Sequence, residues 1–326
     1  MSRSRKRAAG RGPRVGLALA AGGARGAAHT GVLKVLCAEG IPIDCIAGSS
    51  IGAVVGGAHA AGVPPERVEQ QWLSADLAKV VRAFFPTLTR SGISSGTEKR
   101  RILASVLGGA PRIEDLPVAF AAMACDMHSG EPVSLTSGPL LDAVQASASI
   151  PGVFRPVRVG DRVLVDGGLV EPLPIGACRD LGAEVVIAVD ILPAPHGESM
   201  GGQRVWDRVG ERLRDTFREQ RWLPGNLPDL LSEVFDPKVG TARPLPGLTG
   251  VINQSIIILQ HRILALELER NPPDVLIRPD VSYSTMGYLR AADGIRAGEE
   301  AAKRAIPGIR RLVLGKGKRA AAARRG

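Results

Sequence analysis

The chain has few aromatic residues and few cysteines. Phe, Trp and Tyr make up 3% of its 326 residues, while apolar residues as a whole make up 44%. A core for one large domain or two smaller ones must therefore be built from Ala, Val, Leu and Ile. The four cysteines form no C-x-x-C pair and have no histidine at metal-ligand spacing, which argues against a disulfide framework and a metal site. We expect reduced, buried thiols in a cytosolic protein at Cys37, Cys45, Cys125 and Cys178.

The sequence also lacks a hydrophobic run of the about 20 residues that a membrane-spanning helix needs. The most apolar stretch, Val251 to Leu268, is interrupted by polar residues that include Gln260, His261 and Arg262, so it predicts a packed helix. Near the start of the chain, a basic stretch followed by VGLALAAGGA is similar to a secretory signal. Cleavage there would remove a strand and a glycine loop on which the candidate site depends, and we therefore expect a cytoplasmic protein.

Positive charge is concentrated at the two ends of the chain. Residues 1–14 carry six basic residues and residues 303–326 carry nine, with no acid in either segment, which leaves 27 basic against 32 acidic residues between them. This pattern predicts basic tails at 1–14 and 313–326, the first of them disordered. A sharper hypothesis is peripheral attachment to an anionic membrane, at about 1 kcal/mol per Lys or Arg near the surface. Nucleic acid is not an expected partner, because no known reader motif accompanies the charge.

Two strand-loop-helix units follow one another from Val15. The first is VGLALA, the loop AGGARG and a helix that ends near Gly40, and the second begins with IDCIAG. Such units in succession predict a parallel sheet with both loops at its carboxyl edge. The backbone N–H groups of the glycine loop could bind a phosphate or the oxyanion of a tetrahedral intermediate. A dinucleotide fold is less favoured, because Ala21 stands where G-x-G-x-x-G has its first glycine.

The segment Gly48-Ser49-Ser50-Ile51-Gly52 fits the pattern G-x-S-x-G. In this pattern the middle serine lies at a sharp strand-to-helix turn, and the flanking glycines allow strand and helix to approach closely. Ser50 is therefore the candidate nucleophile, and the Ser49 side chain should point elsewhere. Taken alone, the pentapeptide is equally consistent with an ordinary β-turn-α connection.

A later predicted strand, Val163 to Val165, ends in Asp166, Gly167 and Gly168. An acid at this position delivers a carboxylate to the edge of the sheet, and the two glycines permit a tight turn. A carboxylate can activate a serine directly if burial raises its pKa from about 3.9 toward working pH. The alternative is a turn aspartate that caps its own loop.

Four segments taken together resemble the patatin-like phospholipase family, especially its bacterial members: Ala21 to Gly26, Gly48 to Gly52, Ala148 to Phe154, and Asp166 to Gly168. The resemblance implies a three-layer α/β/α fold with a mainly parallel central sheet and helical C-terminal additions. It also implies a cofactor-free lipid acyl hydrolase with a Ser50–Asp166 dyad and no catalytic histidine, acting on a lipid or ester substrate. The implied oxyanion loop comprises Gly22, Gly23, Ala24, Arg25 and Gly26. Ala21 departs from the usual glycine and adds a methyl group near this loop.

Two alternatives remain open at this stage. A Ser-His-Asp esterase would need a histidine after Asp166, and only His196 and His261 qualify. His196 is the candidate, because it lies in a predicted loop just beyond a strand, whereas His261 lies inside a predicted packed helix. A catalytically silent lipid-binding or regulatory module would keep the fold without turnover. Arg25 has three candidate roles, which are to steady the oxyanion loop, to meet a lipid phosphate or to form an internal salt bridge.

The expected organisation is a catalytic core at 15–195, followed by a helical insertion at 196–250 that is a candidate lid. Residues 251–312 then complete the domain with helices and a strand.

Overall fold

A computed structural model describes residues 12–74, 88–89, 92–93, 97–109, 111–151, 153–193, 248–285 and 287–323. The candidate lid at 196–250 lies outside the described residues except for its last three, which begin a helix. His196 and most of the tail at 1–14 also lie outside them.

The described residues form helices and strands that alternate along much of the chain. The helices are α1 Ala27–Ala38, α2 Ile51–Ala60, α3 Pro65–Leu73, α4 Thr97–Val106, α5 Leu140–Ser147, α6 Ile175–Asp180, α7 Leu248–Arg270 and α8 Ala291–Ala323. The strands are β1 Val15–Leu19, β2 Cys45–Ser49, β3 Leu88–Thr89, β4 Gly92–Ile93, β5 Ala119–Asp126, β6 Pro132–Leu135, β7 Val157–Val159, β8 Arg162–Asp166, β9 Val185–Val189 and β10 Val275–Ile277. Short 3-10 turns span Gly23–Gly26, Ile113–Asp115, Gly167–Leu169 and Tyr288–Arg290.

The main sheet has the strand order β10-β9-β1-β2-β5-β8-β7, and β6 also pairs with β5. The strands from β10 to β5 in this order are parallel, whereas the pairs that involve β6, β7 and β8 are antiparallel. Every residue of β1, β2 and β9 is buried, as expected for strands covered by helices on both faces. The predicted three-layer α/β/α fold with a mainly parallel sheet is confirmed.

The register of the sheet brings the predicted motifs to one place. Leu19, the last residue of β1, pairs with Gly48 of β2. Ser49 at the end of β2 pairs with Met123 of β5, and Asp166 at the end of β8 pairs with Ala124, the next residue of β5. The chain segments that follow β1, β2 and β8 therefore begin beside one another.

Two element boundaries differ from the prediction. The sequence predicts a final helix from Ala291 to Ala305, but α8 continues to Ala323 with Pro307 inside it. Proline removes one backbone hydrogen bond, and the burial of Ile306, Ile309 and Val313 on one face of the helix compensates for this loss. The sequence also predicts a helix from Leu140 to Ile150, but α5 ends at Ser147, and the residues that follow lead directly into the candidate site.

The cysteine prediction is wrong at one position. Cys37 is exposed, because it lies in the last turn of α1, beyond the part of the helix that packs on the core. The other three cysteines are buried free thiols.

In the described part of the chain, no helix is long and apolar enough to cross a membrane. The predicted helix at 251–268 packs on one side only, since Ile257 and Leu264 are buried while Leu259 and Leu266 are exposed.

Candidate active site

The turn between β2 and α2 holds Ser50 in a backbone conformation that few residues adopt. Its φ of 53° lies in the left-handed region, and it is the one non-glycine residue with a positive φ in the described ranges. A Cβ on Gly48 would lie 2.4 Å from the Gly52 carbonyl oxygen, and a Cβ on Gly52 would lie 2.2 Å from the Leu19 carbonyl oxygen. The structure thus places the G-x-S-x-G pattern at a strained strand-to-helix turn that only flanking glycines permit.

The Ser50 hydroxyl donates a hydrogen bond to the Asp166 carboxylate, with 2.6 Å between Ser50 Oγ and Asp166 Oδ2. The other carboxylate oxygen, Oδ1, accepts the Gly168 N–H at 2.8 Å. Both Ser50 and Asp166 are buried. Asp166 therefore caps its own loop, as predicted for a turn aspartate. Its carboxylate also accepts the hydrogen bond of the candidate nucleophile, as the dyad hypothesis requires.

Burial dominates the electrostatics of Asp166. It raises the pKa of the Asp166 carboxyl to about 6, because an anion is poorly solvated there. The hydrogen bonds from Ser50 and Gly168 and the positive charge of Lys99 lower the same pKa and offset part of this effect. The carboxyl is thus mostly ionised at neutral pH, yet basic enough to accept a proton from a serine.

The glycine loop after β1 packs against the elbow. A Cβ on Gly26 would lie 2.2 Å from the Ile51 side chain, so this contact requires glycine. Gly22 and Gly23 have φ values of 155° and 57°, and among the described residues their N–H groups meet no acceptor. The Ala24 N–H, in contrast, donates to the Thr285 carbonyl at 2.7 Å. Of the predicted loop, Gly22 and Gly23 are therefore the residues with N–H groups available to a ligand.

Arg25 is buried, and its guanidinium faces backbone carbonyls. Its Nε donates to Ile191 O at 2.6 Å, and its terminal nitrogens donate to Val281 O and Tyr283 O at 2.9 Å and to Leu192 O at 3.4 Å. These contacts tie the glycine loop to the segment after β9 and to the segment before α8. Of the three candidate roles for Arg25, they support the steadying of the loop.

Replacing Arg25 with Met should lower the free energy of unfolding by about 2–4 kcal/mol, because several buried carbonyl groups lose their donor. Urea unfolding followed by circular dichroism measures this change. Arg67→Met is the matched control, since Arg67 is exposed on α3 and should tolerate the same substitution. Equal effects of the two substitutions would contradict the bracing role.

None of the four described histidines is hydrogen-bonded to Ser50 or Asp166. His29 is fully buried against Ala20 O, and burial lowers its pKa to about 4. His261 bonds the carbonyl of Pro193, and the His128 side chain is exposed on the β5–β6 turn. His196 lies outside the described residues, so its relation to the site stays a hypothesis.

The structure adds residues that the sequence did not single out. The Ser147 Oγ accepts the Ser50 N–H at 3.0 Å, the Ser149 carbonyl accepts the Asp166 N–H at 3.0 Å, and Lys99 lies beside them. Ser149 belongs to a segment already noted for its family resemblance. No sequence signal marks Lys99, which lies in a segment without a recognised motif.

Comparison with known proteins finds a matching family model, related sequences and a solved structure. A family model described as patatin-like phospholipase matches residues 17–179. An NTE family protein of Mycobacterium tuberculosis is 42% identical over 182 residues, which cover 55% of this chain and 49% of the relative. A lysophospholipase, nte1, of Emericella nidulans is 32% identical over 233 residues, which cover 68% of this chain and 14% of the relative. VipD from Legionella pneumophila, a solved structure, aligns at 13% identity with a TM-score of 0.41, over 93% of this chain and 72% of that one.

The chain spans about half the length of the mycobacterial relative and a much smaller share of the fungal one. The match to the family model includes the glycine loop, the elbow, the Ala148–Phe154 segment and Asp166.

Proposed function

Because the chain belongs to the patatin-like phospholipase family, we propose that it is a lipid acyl hydrolase that works through Ser50 and Asp166. The observation that carries the proposal is the 2.6 Å hydrogen bond from the Ser50 hydroxyl to the buried Asp166 carboxylate. A serine hydroxyl is a poor nucleophile until a base takes its proton, and here the base is already in contact with it.

The first half-reaction forms an acyl-enzyme. Ser50 Oγ attacks the ester carbonyl carbon while its proton passes to Asp166, and the carbonyl oxygen becomes an oxyanion. The N–H groups of Gly22 and Gly23 bind this oxyanion, and the positive end of the α2 dipole lies beside it. When the intermediate collapses, the bond to the alcohol breaks and Asp166 returns the proton to the leaving oxygen.

The second half-reaction releases the acyl group. Water takes the place of the alcohol, and Asp166 accepts one of its protons as the water oxygen attacks the acyl carbon. The tetrahedral intermediate then expels Ser50 Oγ, which takes the proton back from Asp166. The products are a free carboxylic acid and the alcohol, and the dyad returns to its starting state.

Phospholipids and lysophospholipids are the proposed substrates. The family description and the name of the fungal relative both point to this class. Peripheral contact with an anionic membrane through the basic tails remains a prediction from the charge pattern.

The test of the proposed activity is mass-spectrometric analysis of the products after the purified chain is incubated with mixed vesicles of phospholipid, lysophospholipid and triglyceride. Release of fatty acid that tracks fluorophosphonate labelling of Ser50 supports the proposal. Wild-type protein that is folded, unlabelled and inactive on every lipid would instead favour the silent lipid-binding module.

The dyad and the Ser-His-Asp alternative predict different effects of replacing the histidines. If the dyad is sufficient, His196→Ala and His261→Ala should each retain wild-type turnover of a p-nitrophenyl ester, because Asp166 alone accepts the serine proton. His128→Ala is the matched control, because the His128 side chain is exposed and is not hydrogen-bonded to Ser50 or Asp166. Abolished turnover in a folded His196 variant would rule out the dyad mechanism.

A further inference from the structure

Three consecutive residues at the end of α5 connect the two halves of the dyad. Ser147 Oγ accepts the Ser50 N–H at 3.0 Å, and the Ser149 carbonyl accepts the Asp166 N–H at 3.0 Å. Both serines are buried, and the Ser149 hydroxyl is itself bonded to the Gln145 carbonyl at 2.7 Å. The distance between nucleophile and base thus depends on where the segment Ser147–Ser149 lies.

Lys99, on α4, holds the middle of this segment. Its ammonium donates to the Ala148 carbonyl at 2.8 Å and lies 3.7 Å from the centre of the Phe154 ring. A lysine ammonium is costly to bury, and burial lowers the pKa of Lys99 to about 8, with the negative charge of Asp166 acting in the opposite direction. The next residue, Arg100, instead points outward to Asp142 and Gln145.

Among the described residues, three titratable groups besides Ser50 interact with the Asp166 carboxyl. Lys99 on α4 is the positively charged one, and its charge lowers the pKa of Asp166. Tyr288, before α8, and Cys125, on β5, are the other two, and the negative charge of Asp166 raises the pKa of each. Both are neutral at pH 7, so within the described ranges Lys99 is the cationic group that acts on the carboxylate.

We propose that Lys99 is a positioning residue of this site, whose ammonium fixes the segment Ser147–Ser149 and holds the Asp166 carboxyl in its ionised form. The inference rests on the proposed function only for its kinetic consequence. Asp166 must be ionised to accept the Ser50 proton, so activity falls as the pH drops through the pKa of its carboxyl. Without the charge of Lys99 that pKa rises, and the acid limb of the pH–rate profile moves to higher pH.

The kinetic test compares Lys99→Gln, which keeps a hydrogen-bond donor without charge, with Lys99→Arg, which keeps the charge. We expect the acid limb of kcat/KM for a p-nitrophenyl ester to move up by about one pH unit in Lys99→Gln, with about a five-fold loss at pH 6 that shrinks toward pH 9. In Lys99→Arg the acid limb of kcat/KM should stay at its wild-type pH. Arg100→Gln, which removes an exposed charge at the neighbouring position, should leave it unchanged. An equal loss of activity at every pH in Lys99→Gln would overturn the electrostatic role.

A second test needs neither turnover nor a Lys99 variant. In Ser50→Ala protein labelled with ¹³C at aspartate carboxyl groups, the Asp166 signal, assigned by its loss in Ser50→Ala/Asp166→Asn, is titrated by NMR. We expect a main step as Asp166 ionises and a smaller second step near pH 8, where Lys99 loses its proton. A single step would overturn the proposal. Inactive wild-type protein together with two steps in the Ser50→Ala titration would refute the proposed hydrolase and leave the Lys99 assignment standing. Active wild-type protein together with a single step in that titration would do the reverse.

Discussion

Ser50→Ala should lower kcat for ester hydrolysis by at least about 10⁴-fold and abolish labelling by a fluorophosphonate. The substitution removes the atom that we propose forms the acyl-enzyme, and among the described residues Asp166 has no other side-chain nucleophile as a hydrogen-bond partner. The measurement is the steady-state hydrolysis of a p-nitrophenyl ester together with mass spectrometry of the labelled protein. The fold should be retained, since the Ser50 N–H still donates to Ser147 Oγ.

The neighbouring residue provides a matched control. Ser49 is fully buried, and its hydroxyl has no hydrogen-bond partner among the described residues. Ser49→Ala therefore removes an unpaired polar group, and it should leave activity intact and change the free energy of unfolding by less than about 1 kcal/mol. Equal loss of activity in the two variants would show that the elbow, and not the Ser50 hydroxyl, is what the substitutions disturb.

The parts of the site that could be predicted are those where close backbone approach demands glycine. Gly48 and Gly52 flank the elbow because no side chain fits between β2, α2 and β1, and Gly23 follows from its positive φ. Such constraints leave a local pattern in the sequence. These segments follow strands in successive strand-loop-helix units, and such units place their loops at one edge of a parallel sheet. The fold could therefore be predicted from the same segments as the site.

The parts that could not be predicted depend on contacts between distant segments. The Arg25 guanidinium is bound by carbonyls of residues 166 to 258 positions away, and any residue can supply a carbonyl. The hydrogen bond from the Ala24 N–H to the Thr285 carbonyl could not be predicted for the same reason. Lys99 reaches the site through the packing of α4 on α5, which no short motif encodes. The predicted end of the last helix failed because tertiary burial outweighed the local effect of Pro307.

Asp166→Asn should produce the second large loss, on the order of 10³- to 10⁴-fold in kcat, because an amide cannot accept the Ser50 proton. The amide oxygen can still accept the Gly168 N–H, so the turn at Gly167–Leu169 should survive. The pH–rate profile is the more specific measurement. Wild-type protein should lose activity on the acid side with a midpoint near pH 6, the pKa of the buried carboxyl, and the residual activity of the variant should lack this limb.

Asp166→Asn should lower activity without lowering stability at neutral pH. This difference distinguishes a catalytic role of Asp166 from a structural one. The pKa of Asp166 is about 6 in the folded chain, against about 3.9 in the unfolded one. Because the folded state binds the proton more tightly, the contribution of Asp166 to wild-type stability is largest below pH 4 and is lost as the pH rises through 6, by up to roughly 3 kcal/mol. Asparagine carries no charge at any pH, so Asp166→Asn should be at least as stable as wild type at pH 8 and lose this advantage at pH 4. Urea unfolding at both pH values measures the difference. An inactive variant that is less stable than wild type by the same amount at pH 4 and pH 8 would mean that Asp166 serves the fold of the turn and not proton transfer from Ser50.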